Sequence, residues 1–226
     1  MPRSKSERCA ALALALLLSG AFAGTRLAPA AQAVNAANTA GGAALYRSCA
    51  ACHGQRGEGL TASKAPALAG LPAWYVDRQL GNFLTGVRGA TPDDAEGAQM
   101  RAASSALQSE AQRASVAAYV AGLPRPNARP RPPADAAALA NGRNYFNALC
   151  SACHGANGMG NQSLGAPPLA SATADYLLRQ FAAFKSGRRG AHPQDKPGAQ
   201  MRAIAAMLPD ARTERDVIAY AAGLGS

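Results

Sequence analysis

The chain has little from which to build a large core. Aromatic residues make up 5% of it, with a single tryptophan, and much of its apolar content is alanine. Two small domains built from Ala, Leu and a few rings would have thin cores, so a bound apolar group in each would supply missing volume. No convincing stretch alternates apolar and polar residues as a half-buried strand does, which leaves an all-α class. Long apolar runs are absent too. The run from Cys9 to Leu18 falls well short of the ~20 residues that span a bilayer. Acidic residues are outnumbered, 13 Asp and Glu against 23 Lys and Arg. Aromatics are not interleaved among the basic residues, which argues against a nucleic-acid surface and for steering toward acidic partner surfaces.

Two pentads are present: Cys49-Ala50-Ala51-Cys52-His53 and Cys150-Ser151-Ala152-Cys153-His154. C-x-x-C-H is the attachment pattern of c-type haem, in which the thiols add to the vinyl groups and the adjacent His becomes an iron ligand. Two intervening residues close about one helical turn, which sets both sulfurs against one porphyrin edge. One such motif alone could be half a zinc site or a redox dithiol. Zinc would have to share four Cys and two His among tetrahedral sites, and a thioredoxin-like site would need a strand–helix–strand setting. Two covalently bound haem c groups are therefore expected, on Cys49 and Cys52 and on Cys150 and Cys153.

The N-terminus reads as a secretory signal peptide: Arg3, Lys5 and Arg8, an apolar run, then small residues. Cleavage after Ala23 or Ala33 fits equally, and Cys9 falls in the leader. Residues 1–33 hold four of the basic residues and Glu7, so the formal charge of +10 falls to +7 without them. Export predicts a periplasmic protein.

Sliding the sequence on itself gives a match at an offset of 101 residues. Pro66-Ala67-Leu68-Ala69 meets Pro167-Pro168-Leu169-Ala170, and Tyr75, Arg78, Gln79 and Phe83 meet Tyr176, Arg179, Gln180 and Phe184. Gly97-Ala98-Gln99-Met100-Arg101 meets an identical pentad at 198–202. Two copies mean two homologous domains, expected at 34–122 and 135–226, rather than a solenoid. Residues 123–134, rich in Pro and Arg, read as an extended, semi-rigid linker.

Each copy predicts three helices: 36–48, 73–85 and 110–121, then 135–149, 174–186 and 213–222. Asp135, Ser109 with Gln112, and Thr213 with Asp216 are the expected N-terminal signals. Gly86 and Gly187 are the expected stops of the middle helices.

The sixth iron ligand decides between carrier and catalyst. Of five Met, only Met100 and Met201 are related by the repeat, each 47 residues beyond its motif His. Both are expected in glycine-flanked loops, as axial ligands opposite His53 and His154, with Met207 a weak substitute for Met201. Thioether sulfur is soft and neutral, so His/Met ligation favours reduced iron and keeps the coordination shell full. Pro66 and Pro167 could each offer a carbonyl to the motif imidazole. Arg78 and Arg179 read either as propionate donors or as a solvated helix face, and Tyr75 and Tyr176 as haem-edge or core residues. His192 reads as a surface loop residue, and Trp74, without a repeat partner, is given no role.

Taken together, these motifs resemble the dihaem class I cytochromes c of the c-four group, over residues 40 to 224. The resemblance implies two helical domains, each around one covalent haem, packed face to face about a pseudo-twofold axis. It implies a periplasmic electron carrier, not an enzyme, drawing on a quinol-oxidising complex or dehydrogenase and feeding a terminal oxidase, with no nucleic-acid partner. Loose association with the membrane surface is compatible with it. The alternative is a dihaem electron-outlet subunit of an exported dehydrogenase such as a flavocytochrome. A dihaem peroxidase would lack one of the two Met.

Overall fold

The computed structural model describes residues 30–125, 134–170 and 172–224, with side chains from residue 41 onward. The expected leader up to residue 29, including the Ala23 cleavage point, and linker residues 126–133 lie outside them. Apart from isolated bridges at Leu60–Ala65 and Asn161–Ala166, the regular structure of the described residues is helical.

The first repeat is α1 (Ala30–His53), α2 (Ala73–Leu84), α3 (Ala95–Ser104) and α4 (Glu110–Gly122). The second is α5 (Ala136–Tyr145), a π-helical segment (Phe146–Cys150), α6 (Ser151–His154), α7 (Ala174–Lys185), α8 (Lys196–Met207) and α9 (Ala211–Ala222). Several expectations hold. The middle helices end just before Gly86 and Gly187. Asp135 and Ser109 are N-caps, accepting from the amides of Ala138 and Gln112. The Gln112 side chain reaches back to the Gln108 amide at 2.7 Å, closing a variant of the capping box.

Three expectations need correction. The last helix begins at Ala211, not Thr213, because Asp210 caps it by accepting from the Thr213 amide at 2.7 Å. A fourth helix per domain, α3 or α8, stands where a loop was expected. Asp94 and Asp195 start these helices by accepting from the amides of Gly97 and Gly198, each at 3.0 Å. Finally, the entry to the second motif is not continuous α-helix.

That last difference comes from one residue. Tyr46 packs on Tyr119 with ring centroids 5.3 Å apart, and Phe146 packs on Tyr220 at 5.5 Å. Tyr119 and Tyr220 keep the 101 offset, whereas Tyr46 and Phe146 are 100 apart. Three steps lead from Tyr46 to Cys49 and four from Phe146 to Cys150. The extra residue is absorbed as the π segment, which lets both the buried ring and the cysteine keep their places.

Each core is small and lies where the entry helix crosses the last helix. Tyr46, Val76, Leu80, Val116 and Val120 form the first. Phe146, Leu177, Phe181, Phe184 and Val217 form the second. The crossings are close because Gly42 and Gly142 sit in them: a Cβ would lie 2.1 Å from the carbonyl oxygen of Ser115 or Asp216. Phe146 is fully buried, at 0% exposure, and Phe146→Ala should cost about 3–5 kcal/mol, read as a fall in thermal midpoint.

Candidate functional site

In the first domain α1 carries the whole pentad Cys49–His53 to its C-terminus; in the second, the π segment delivers Cys150 and α6 delivers Cys153 and His154. Cys49 and Cys150 are half-buried, while Cys52 and Cys153 are exposed. Burial pushes the Cys49 thiol up and the Cys150 thiol to about 11. Among the described residues no cluster of three or more His, Cys, Asp or Glu could hold a metal ion.

The imidazoles are buried and oriented. His53 Nδ1 is 2.9 Å from the Pro66 carbonyl and His154 Nδ1 is 2.8 Å from the Pro167 carbonyl, as the repeat suggested. A carbonyl can only accept, so Nδ1 carries the proton and Nε2 keeps its lone pair for a metal. Burial lowers both pKa values, against the pull of the proline carbonyl, which favours the neutral ring that ligation requires.

One cavity is lined by His53, Met100, His154 and Met201 and by all four motif cysteines. Met100 rises from α3 and Met201 from α8, so each thioether is carried by a capped helix rather than a loop. Met207 is 58% exposed and does not line the cavity, which removes it as a substitute for Met201. His192 is an exposed loop residue whose Nδ1 accepts from the Gln194 amide.

Where the two domains meet, Arg88 donates to Gln79 at 2.7 Å and to Gln180 at 2.8 Å. Arg189 reciprocates, to Gln180 at 2.7 Å and to Gln79 at 3.3 Å. Both guanidiniums line the cavity, and among the described residues neither forms an ion pair with a carboxylate. Ser104 Oγ, on the same cavity, is buried without a hydrogen-bond partner. A largely apolar cavity with two guanidiniums outside any ion pair and an orphaned hydroxyl fits a macrocycle with an apolar body and carboxylate arms. Sequence reasoning missed Arg88 and Arg189, although they obey the 101 offset in the glycine-flanked stretches 86–89 and 187–190. Arg78 and Arg179 are half-buried, and neither is confined to its own domain. Arg78 donates to the Gly165 carbonyl at 2.7 Å and Arg179 to the Lys64 carbonyl at 2.9 Å, each across the interface. Trp74 also has a contact: the Arg78 guanidinium lies 5.0 Å above its ring.

The cytochrome c family profile matches residues 39–124 and again 139–222. The chain belongs to the cytochrome c family. This tandem cytochrome c is similar to the "Thiosulfate dehydrogenase electron acceptor" of Stutzerimonas stutzeri, 35% identical over 165 residues, covering 69% of this chain and 71% of that protein. Cytochrome c4 of Azotobacter vinelandii is 31% identical over 180 residues, covering 76% and 83%. Among solved structures, reduced recombinant cytochrome c4 from Pseudomonas stutzeri superposes with a TM-score of 0.63 at 26% identity, covering 83% of this chain and 97% of that one. Thiosulfate dehydrogenase (TsdBA) from Marichromatium purpuratum gives 0.62 at 31% identity, covering 80% of this chain and 39% of that one. Two cytochrome c domains, each with its C-x-x-C-H motif, carry two covalently bound haem c groups, and the protein is an electron carrier acting with redox partners, not an enzyme.

Proposed function

We propose that this cytochrome is a periplasmic dihaem shuttle, with His53 and Met100 ligating one iron and His154 and Met201 the other. The haem irons, when bound, supply the one-electron chemistry. The chain's residues do the rest. Pro66 and Pro167 hold each imidazole with Nε2 free, and the neutral thioethers favour the reduced metal. His and Met together leave no open position for a substrate. Arg88 and Arg189 would meet the carboxylate arms inside the interface, where a charge-assisted bond is stronger than in water. The observation that carries the reading is the one cavity bearing two cysteines, a proline-held His and a helix-borne Met from each domain.

The donor is a quinol-oxidising complex or a dehydrogenase, and the acceptor a terminal oxidase. Relatives named as thiosulfate dehydrogenase electron acceptors favour a dehydrogenase as donor, and the likeness to a thiosulfate dehydrogenase structure favours a close association with it. That keeps alive the second reading, an electron-outlet subunit of an exported dehydrogenase. Catalytic amounts of thiosulfate dehydrogenase with excess thiosulfate should reduce both haems of the isolated protein, followed by the visible absorbance of the reduced form. Failure to reduce either haem would remove that donor. Co-purification in a fixed ratio with the dehydrogenase would replace the free shuttle with the subunit reading.

A further inference from the structure

The two cross-domain arginine contacts fall at equivalent places in the repeat. Gly165, whose carbonyl accepts from Arg78, corresponds to Lys64, whose carbonyl accepts from Arg179. Both have left-handed backbone: φ is +65° at Gly165 and +53° at Lys64, the latter a strained choice for a residue with a Cβ. Each lies two residues before the proline whose carbonyl holds the imidazole, Pro167 for His154 and Pro66 for His53. Arg78, in the first domain, thus grips the turn that orients the second domain's histidine, and Arg179 does the converse.

The two grips differ in charge. Asp175 forms an ion pair with Arg179 one helical turn away. Trp74 occupies the matching position beside Arg78, whose guanidinium rests on the Trp74 and Tyr75 rings, 5.0 and 5.5 Å from their centroids. An aromatic face orients a cation without cancelling it. Among the described residues Arg78 has no ion-pair partner, Asp195 acting on it only at longer range, whereas Arg179 is paired with the exposed Asp175, which offsets part of its charge.

We propose that Arg78 and Arg179 are positioning residues, each tuning the redox potential of the other domain's haem through the turn that holds its axial histidine. The proposal rests on His53 and His154 being iron ligands. Two effects oppose one another on losing such an arginine. Loss of the positive charge favours oxidised iron. A looser turn weakens the Nδ1 hydrogen bond and makes the histidine a poorer donor, which favours reduced iron. The Gly165 turn is independently closed by the bonds of Gly165 N to Gln162 O and Ala166 N to Asn161 O, both 2.9 Å, so the charge effect dominates there.

The test is a redox titration of the full-length holoprotein, with each haem followed through its own hyperfine-shifted proton signals. The wild-type spectra check histidine ligation first; its absence would sink the ligand reading before any variant is made. Arg78→Gln should lower the potential of the second-domain haem, changing its reduced-to-oxidised ratio at fixed potential by roughly threefold, and leave the first-domain haem in place. Arg78→Lys, which keeps the charge, should retain most of the wild-type value. Asp175→Asn, at a side chain 74% exposed, should raise the potential of the first-domain haem alone. Shifts in the variant's own domain, equal shifts in both haems, or unchanged potentials in both Arg78→Gln and Asp175→Asn would overturn the proposal.

Discussion

Replacing Met201 with alanine should open the second-domain iron to carbon monoxide and lower its potential on the order of a hundred millivolts, leaving the first-domain haem unchanged. Met100→Ala should do the same in the first domain. The expected size reflects the ligand that is lost. A thioether is a soft, neutral ligand that stabilises the reduced metal, and axial ligands as a class move haem potentials over a range of about 0.8 V. Each methionine sits in the middle of a helix whose N-terminus is capped by Asp94 or Asp195, so shortening the side chain need not displace the helix. In the second domain no other methionine stands ready, since Met207 faces solvent and Met159 lies with its sulfur 3.3 Å from the Arg125 guanidinium. Carbon monoxide difference spectra together with a redox titration check the result; an unchanged spectrum in either variant removes that residue as a ligand.

Gly142→Ala should cost about 3 kcal/mol, although it adds a single carbon. The new Cβ would meet the Asp216 carbonyl oxygen at 2.1 Å, its carbon at 2.6 Å and Tyr220 Cβ at 3.0 Å. Two of these atoms belong to the backbone of α9, so relief requires the helices to move apart, which loosens the packing of Phe146 on Tyr220. Gly122 supplies the control. It lies at the end of α4, where an added methyl would have no neighbour within 4 Å, and Gly122→Ala should be neutral or stabilising by up to about 1 kcal/mol. Denaturant unfolding of the two holoproteins distinguishes them: equal midpoints would mean that the crossing of α5 and α9 is not as close as described.

The haem motifs were legible because covalent attachment and ligation constrain neighbouring residues, and the repeat paired Met100 with Met201 and Pro66 with Pro167 at a fixed offset. The helices bearing the methionines were not. Their first turns contain Gly97 and Gly198, and they lack the broad apolar stripe that marks a helix packed on protein, because part of each faces the cavity. Their caps were there to be read: Asp94 and Asp195 obey the same offset, and Pro197 occupies a first-turn position. The domain interface was out of reach for a different reason. Arg88 and Gln180, or Arg78 and Gly165, are about 90 residues apart in sequence, as the separations of 92 and 87 record, and no periodicity within one domain reports a partner in the other.

The single residue added between Phe146 and Cys150 also limits how the two halves could ever be exchanged. In an α-helix one added residue rotates the downstream chain by about 100°. A crossover between the repeats within this short stretch would therefore transplant a cysteine that faces the wrong way relative to its buried ring, unless the π turn travelled with it. Shuffling of the duplicated segments is tolerated only at breakpoints that keep the ring, the extra residue and the first thiol together, so the two domains are free to diverge in tuning while barred from trading this piece.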